Sequence, residues 1–328
     1  MNRNIDIYFS SEYGQIYEKN GEGKLENFKM GSSNGEVRYT FLKREINVDF
    51  DNKYFDIITP YGYGGPVFNV YDGKPLKNLV NDFKEKFELY CKENNIVSEF
   101  IRFHPLVCNH EYMDMYMEVC NIRNTICLDL NSEQDIWNNI SSKCRNMIRK
   151  AEKNNITIEI GNSKEDLDIF YSLYMDTMKK NKAIDYYLFD YNFFKNTIEL
   201  LSNNITIFKA VYDNKVISSA LIMHCGDYMH YHFSGSDINY SKLAANNLLL
   251  YKAAIWGYNQ GYKYFHLGGG YSGNEDSLFK FKKSFYKGDL KDFYIGKKIH
   301  NLELYNNLVD IKQSEKNLNK HYFPLYRG

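Results

Sequence analysis

The chain of 328 residues carries 41 Lys and Arg against 41 Asp and Glu, a formal net charge of zero, with a pI near 7.1. That balance excludes a dedicated nucleic-acid surface, for which a basic domain is the expected footprint, though it leaves room for a local basic patch. Hydrophobic residues at 44% suffice for a packed core, the length suits two domains, and no window approaches an uncharged run of about 18 apolar residues, so a soluble, cytoplasmic protein without stable membrane insertion is expected. Cys91, Cys108, Cys120, Cys127, Cys144 and Cys225 show neither C-x-x-C pairing nor zinc-site spacing, and read as small buried thiols of a reducing compartment.

The N-terminal half predicts strands near KLENFKM, VRYTFLKREI and YFDIIT, then a helix from about Pro75 to Asn94. The strand VSEFIRF, a short helix near Tyr112 to Val119 and the strand IRNTICLDL follow. The segment NNISSKCRNMIRKAEKNN predicts a basic amphipathic helix. Ile140, Cys144, Met147, Ile148 and Ala151 share one arc, and Lys143, Arg145, Arg149, Lys150 and Lys153 fill the other. Past Ile156 come a strand at TIEI, helices over about Glu165–Lys180 and Tyr191–Leu201, and three strands, ITIFKAVY, KVISSALIMHC and YMHYHFSGS. These are joined by Asp213-Asn214 and Gly226-Asp227, which is hairpin turn chemistry and predicts an antiparallel meander. An almost wholly apolar helix from about Leu243 to Asn259 stops at Gly261. The strand YKYFHL then implies a right-handed crossover and a parallel pair, and the helix DSLFKFKKSF and a strand near KDFYIGKKI close the unit.

The order β, α, α, β, β, β, α, β, α, β resembles the GNAT acyltransferase fold, whose sheet splays between the last meander strand and the strand after the crossover helix. The first half repeats the order loosely. The fold class is therefore α/β with mixed sheets: two tandem GNAT-like domains, 1–130 and 131–299, meeting near Asn131, with 300–328 packing back on the first.

Four clusters carry the candidate chemistry. HLGGG removes three Cβ atoms where a strand ends, at Gly268, Gly269 and Gly270, so a ligand can approach the backbone, and Tyr271 follows. Within two turns Lys280, Lys282 and Lys283 offer donors for an anion or a developing oxyanion; the plainer alternative is a turn on a solvated basic helix. Arg145 and Arg149 read as a solvated cationic face or as guanidiniums gripping a phosphate. In PYGYGGPVF, Tyr61 and Tyr63 interleave with Gly62, Gly64 and Gly65, a nest of sugar or phosphate size if it faces a cleft. FIRFHP supplies Arg102 and His104 at matching depth. His230 and His232, two apart on one strand, share a face, and one of them or His266 could act as a base. No third ligand at zinc spacing accompanies them, so no metal is expected. No hydrolase elbow, Walker loop or HExxH occurs, so direct attack of an amine on an activated acyl group fits better than a covalent nucleophile.

Taken together, SSKCRNMIRKAEKNN, HLGGG with DSLFKFKKSF, PYGYGGP and RFHP resemble, in order, motifs of the Fem peptidoglycan-bridge aminoacyltransferases and their relatives in surface-polysaccharide pathways. The resemblance covers about Val37 to Ile299. It implies transfer of an acyl or aminoacyl group to an amine of a nucleotide-linked or lipid-linked glycan precursor, with tRNA a possible partner. Lys282 would neutralise charge on the donor or intermediate, with Asp276 and His232 completing the candidate catalytic set, and Arg102, Arg145 and Arg149 would hold acceptor phosphates. Phe281, Lys282 and Phe285 match the relatives' F-K-x-x-F element. The donor is acyl-CoA or aminoacyl-tRNA. The neutral charge and the lack of room for a coiled-coil arm between Tyr191 and Ile205 favour acyl-CoA. The R/Q-x-x-G-x-G/A loop of acetyl-CoA enzymes is replaced by SKLAANNLL, leaving Ala244, Ala245, Asn246 and Asn247 at a helix start as the candidate donor site. The alternative is a binding protein for phosphorylated glycan precursors that has lost its chemistry.

Overall fold

The computed structural model describes residues 6–48, 52–181, 187–271, 275–314 and 319–328; residues 272–274 of the glycine-rich segment lie outside them. The first half runs α1 (Ser11–Lys19), β1 (Lys24–Ser32), β2 (Gly35–Glu45), β3 (Phe55–Ile58), β4 (Val67–Val70), α2 (Leu76–Glu93), β5 (Ile96–Arg102) and β6 (Glu118–Asp129). The second continues with α3 (Glu133–Asn139), α4 (Ser142–Lys153), β7 (Thr157–Gly161), α5 (Lys164–Lys180), α6 (Tyr191–Leu200), β8 (Ile205–Tyr212), β9 (Lys215–Cys225) and β10 (Tyr228–Ser236). It closes with α7 (Ala245–Asn259), β11 (Tyr264–Gly268), α8 (Ser277–Lys283), β12 (Lys291–Ile299) and α9 (Leu302–Ser314). These fall into two units, Arg123–Lys291 with the chain start through Ile7, and Tyr8–Ile122 with Asp292–Gly328.

In the first unit the strand order is β6-β11-β10-β9-β8-β7. β7 to β10 form the antiparallel meander, β10 and β11 are parallel, and β6 is antiparallel to β11. The meander's turns have the left-handed backbone that such two-residue links need, with φ of 48° and 59° at Asp213 and Asn214 and 60° at Gly226. Helix α7 is largely apolar because two of its sides are covered, by β8 and β9 and by α4, whose Cys144, Ile148 and Ala151 are buried, while Lys252 stays exposed. Helix α5 covers β10 so closely that a Cβ at Gly235 would sit 2.3 Å from the backbone of Leu173.

In the second unit the order is β1-β2-β3-β5-β12, with β4 also on β2. Helix α2 packs across it through fully buried Leu79, Val80, Phe83 and Phe87, the two phenylalanine rings stacked at 5.0 Å. The C-terminal segment docks on the same sheet: Tyr326 Oη lies 2.7 Å from Ser98 Oγ, and Arg327 Nε donates to Asp56 at 2.5 Å.

Three elements differ from expectation. The strand KDFYIGKKI does not close the sheet of the meander: β12 pairs antiparallel with β5, while β6 pairs with β11, so the closing strands of the two halves are exchanged. Strand pattern alone does not choose between two sheet edges. The helix expected near Tyr112 to Val119 is a single 3-10 turn, Met113–Met115, opened by Tyr112 in the left-handed region at φ 61°. Helix α1 escaped the pattern because Gly14 interrupts it. That glycine is set by packing, since a Cβ there would lie 2.3 Å from Leu25.

Candidate functional site

The parallel strands β10 and β11 pair over only three positions, Tyr228 with Tyr264, Met229 with Phe265 and His230 with His266, although β10 runs on to Ser236 and β11 to Gly268. Each strand is dislocated just past the last pair. The register of β10 on β9 shifts between Tyr231 and Phe233, and that of β11 on β6 shifts between His266 and Gly268. An extra residue in one strand raises local twist and turns the strand away from its neighbour. The two therefore diverge, with Tyr231 and His232 on one lip and the glycines on the other.

Helix α8 aims Lys282 into this opening. Its only buried residues are Phe279 and Lys282, three apart and hence on one face. Lys282 Nζ donates to Gly269 O at 2.8 Å and lies 5.8 Å from the centre of the Tyr231 ring. Burial pushes the lysine down to about 8, opposed by the charge of Asp276, so near neutral pH it is still an ammonium, one that gives up its proton readily. The Tyr231 phenol, also desolvated, is pushed up to about 12.

Asp276 sets the geometry. It caps α8, accepting from Phe279 N at 2.8 Å through one oxygen, and accepts from Tyr271 N at 2.6 Å through the other. The glycine turn is thereby tied to the helix that carries Lys282. A Cβ at Gly270 would lie 2.5 Å from both Asp276 oxygens, and Gly268 adopts φ +74°, a conformation that side-chain-bearing residues avoid. Tyr271 is 65% exposed, its hydroxyl accepting from Asn181 Nδ2 at 3.2 Å. Phe281 is half-buried, packing edge-on against Phe285 at the margin of the core.

The other expected residues of this unit have differing surroundings. His230 and His232 do not keep the two-residue alternation expected of them, because the dislocation of β10 falls at His232. His230 is buried and paired with Asp6 at 2.7 Å. His232 is half-buried against Phe233 and is pushed down to about 3 by burial, so it is neutral across the physiological range. At the start of α7, Ala244 takes the left-handed conformation at φ 61° and Ala244 and Ala245 are buried. Asn246 accepts from Ser218 Oγ, and Asn247 Nδ2 donates to Cys144 Sγ at 3.3 Å. Both amides are thus turned to neighbouring elements. Arg145 and Arg149 lie 5.9 and 5.2 Å from the Trp137 ring centre and, among the described residues, hydrogen-bond only Ser142 and Asn146 one turn back, leaving most of their donors available. Ser141 N donates to Ser284 O at 2.8 Å, which joins the start of that helix to the end of α8.

In the second unit the glycine-rich loop is filled from inside. A Cβ at Gly62 would strike Tyr8 at 2.4 Å and one at Gly65 would strike Ile101 at 2.8 Å. Tyr63 is buried among Tyr8, His104 and Phe293, with centroids 5.2 to 5.4 Å away. Gly64 N bonds Arg102 O at 2.8 Å, and Asn109 Nδ2 donates to Gly64 O at 2.9 Å. His104 lies beyond the end of β5, fully buried, and its Nδ1 accepts from Leu106 N and Val107 N at 3.2 and 3.1 Å, so it organises its own turn. Arg102 stacks 4.9 Å over Phe100 and reaches Thr59 O at 3.4 Å. Tyr61 and Arg102 are the half-exposed members of this cluster.

Sequence reasoning missed two residues at the opening. Tyr231 went unnoticed between the two histidines, and Arg123, whose Nη1 reaches Gly270 O at 3.3 Å, stands in an ordinary strand pattern. Only the pairing of β6 with β11 brings Arg123 to the glycine turn, and nothing local signals it.

Known proteins match this arrangement. Residues 139–283, which contain both diverging strands and end on α8, match the family model described as an acetyltransferase (GNAT) domain. The chain is 23% identical over 325 residues to UDP-N-acetylmuramoylpentapeptide-lysine N(6)-alanyltransferase of Weissella viridescens, covering 91% of this chain and 93% of that protein. Among solved structures, FemX aligns with a TM-score of 0.72 at 14% identity, over 92% of this chain and 94% of its own. A tandem GNAT protein from the clavulanic acid biosynthesis pathway aligns at 0.50 and 7%, over 84% and 83%. The splayed sheet that holds a buried ammonium against the glycine backbone thus lies in the segment matching a GNAT acetyltransferase domain, within a chain of the FemX fold that is similar over most of its length to an alanyltransferase.

Proposed function

We propose that the protein transfers an aminoacyl group, carried as an ester, to a primary amine of a peptidoglycan or surface-glycan precursor. The observation that carries the reading is the Lys282 ammonium, buried in the splay on the carbonyl of Gly269. The amine nitrogen attacks the ester carbonyl carbon, forming the C–N bond and an oxyanion. The C–O bond then breaks, and the proton shed by the attacking amine leaves with the alcohol. Lys282, fixed in a water-poor site, stabilises the oxyanion, an interaction worth about 10²–10³ in rate. His232, at about 3, is too weak a base to take the amine proton efficiently; Asp276, occupied as a cap, positions the turn.

Two observations favour the ester donor over acyl-CoA. The full-length relative is named an alanyltransferase. The start of α7 is also poorly equipped for a pyrophosphate, because Asn247 N bonds Ala244 O at 3.0 Å and the flanking side chains point elsewhere. Arg145 and Arg149, with donors to spare, are the groups for an acceptor phosphate, and Tyr61 and Arg102 are secondary candidates. Incubating the protein with UDP-N-acetylmuramoylpentapeptide and either alanyl-tRNA or acetyl-CoA, with product mass as the readout, tests this. An alanylated product supports the reading, an acetylated one alone overturns the donor, and no product from either overturns the acceptor.

A further inference from the structure

We infer that Arg123 is a positioning residue that holds an anionic oxygen group of a substrate, a carboxylate or a phosphate, beside the glycine turn. Three observations support it. First, β6 runs along the turn: a Cβ at Gly269 would lie 3.1 Å from Asn124 O and 3.3 Å from Arg123 Cδ, so the arginine stem lies on the glycine backbone. Second, the guanidinium has five N–H donors. Among the described residues it makes one hydrogen bond, the 3.3 Å contact from Nη1 to Gly270 O, and its Nε is buried without a partner. A structural arginine in such a place would have that donor satisfied. Third, the nearby carboxylate, Asp276, already accepts from Tyr271 N and Phe279 N, and among the described residues no carboxylate oxygen lies within 4 Å of the Arg123 guanidinium. Lys282 holds the carbonyl of Gly269 and Arg123 that of Gly270. Two cations thus grip adjacent peptide units of one turn, and the planar fork of Arg123 presents the geometry that a carboxylate or phosphate fits with two parallel bonds.

The inference deepens the acyl-transfer reading and rests on it for the identity of the substrate, but the anion site stands without it. The test follows the ¹⁵N–¹H resonance of the Arg123 Nε–H in the full-length protein, assigned by its loss in Arg123→Lys, while inorganic phosphate or acetate is added against chloride at matched ionic strength. A saturable downfield shift with either oxyanion is expected; a response no different from that to chloride overturns the proposal whether or not acyl transfer is detected. In turnover with UDP-N-acetylmuramoylpentapeptide and alanyl-tRNA, Arg123→Lys should raise one KM roughly ten- to a hundredfold with kcat little changed. The KM that moves tells whether acceptor or donor carries the anion. A fall confined to kcat, or two unchanged KM values in a folded variant, contradicts the role.

Discussion

Replacing Lys282 by methionine keeps the volume of the side chain and removes its charge, and the structure predicts an unusual result: a protein that is dead or nearly so, yet no less stable at neutral pH. Lysine ordinarily titrates near 10.5 and here is pushed down to about 8 by burial. Holding the ammonium in the splay therefore costs about 3 kcal/mol relative to an exposed lysine, at 1.36 kcal/mol per pH unit. The bond to Gly269 O returns about 1.5–3 kcal/mol, as for other hydrogen bonds to charged groups, so Lys282→Met should be equal to or about 1 kcal/mol more stable than the parent at pH 7. Between pH 8 and 10.5 the unfolded chain holds a proton that the folded one has released, so the parent gains stability as pH rises and the variant does not. The difference between the two should swing by about 3 kcal/mol over that window and reverse in sign in its lower part, below about pH 9. Urea unfolding of both proteins at half-unit steps from pH 6.5 to 10.5 measures it. A difference flat in pH, or a variant several kcal/mol less stable at pH 7, would refute the claim that Lys282 is a buried and destabilising charge.

Other consequences are open to simpler tests. If the reaction needs the protonated lysine, kcat should fall as pH rises through about 8, and Lys282→Arg, which stays charged, should lose that alkaline limb; a limb unchanged in the arginine variant would assign it to another group. His224, pushed down to about 4 by burial and held between Thr206 Oγ1 and Tyr262 Oη at 3.0 and 2.8 Å, stays neutral when folded while the unfolded chain takes up a proton below about 6.5. Stability should thus decline by up to about 3 kcal/mol between pH 6.5 and 4, and acid unfolding of His224→Gln should show a smaller decline. Gly235→Ala places a methyl 2.3 Å from the backbone of Leu173 and should destabilise the first unit by about 3 kcal/mol, seen as a lowered urea midpoint. Asp56→Asn weakens a buried carboxylate clamped by Arg44 at 2.6 Å and Arg327 at 2.5 Å. It should cost about 3–5 kcal/mol and expose the C-terminal residues to carboxypeptidase.

Much of this molecule was written in local sequence. The meander from Ile205 to Ser236 was legible because its links are short and chemically marked, and α4 because Cys144, Ile148 and Ala151 recur at helical spacing, although Ile140, expected on the same arc, is extended and lies before the helix. Lys282 could be singled out from Lys280 and Lys283 by resemblance, but its burial follows from helical phase with Phe279, which the pattern also holds. What escaped was non-local. The exchange of β6 and β12 depends on which edge each strand meets, and Arg123 reaches the glycine turn only through that exchange. The glycines of PYGYGGP looked like room for a ligand and are instead filled by Tyr8 and Ile101, from segments 54 and 36 residues distant from Gly62 and Gly65 respectively.

The most direct test of the account is product formation on UDP-N-acetylmuramoylpentapeptide with alanyl-tRNA, followed by mass spectrometry for the parent and for Lys282→Met at equal concentrations of folded protein. The account predicts addition of one alanyl group to a primary amine by the parent and a rate lower by about 10²–10³ in the variant. Equal rates in the two, with the variant folded and the parent active, would contradict the role of the buried ammonium in the splay.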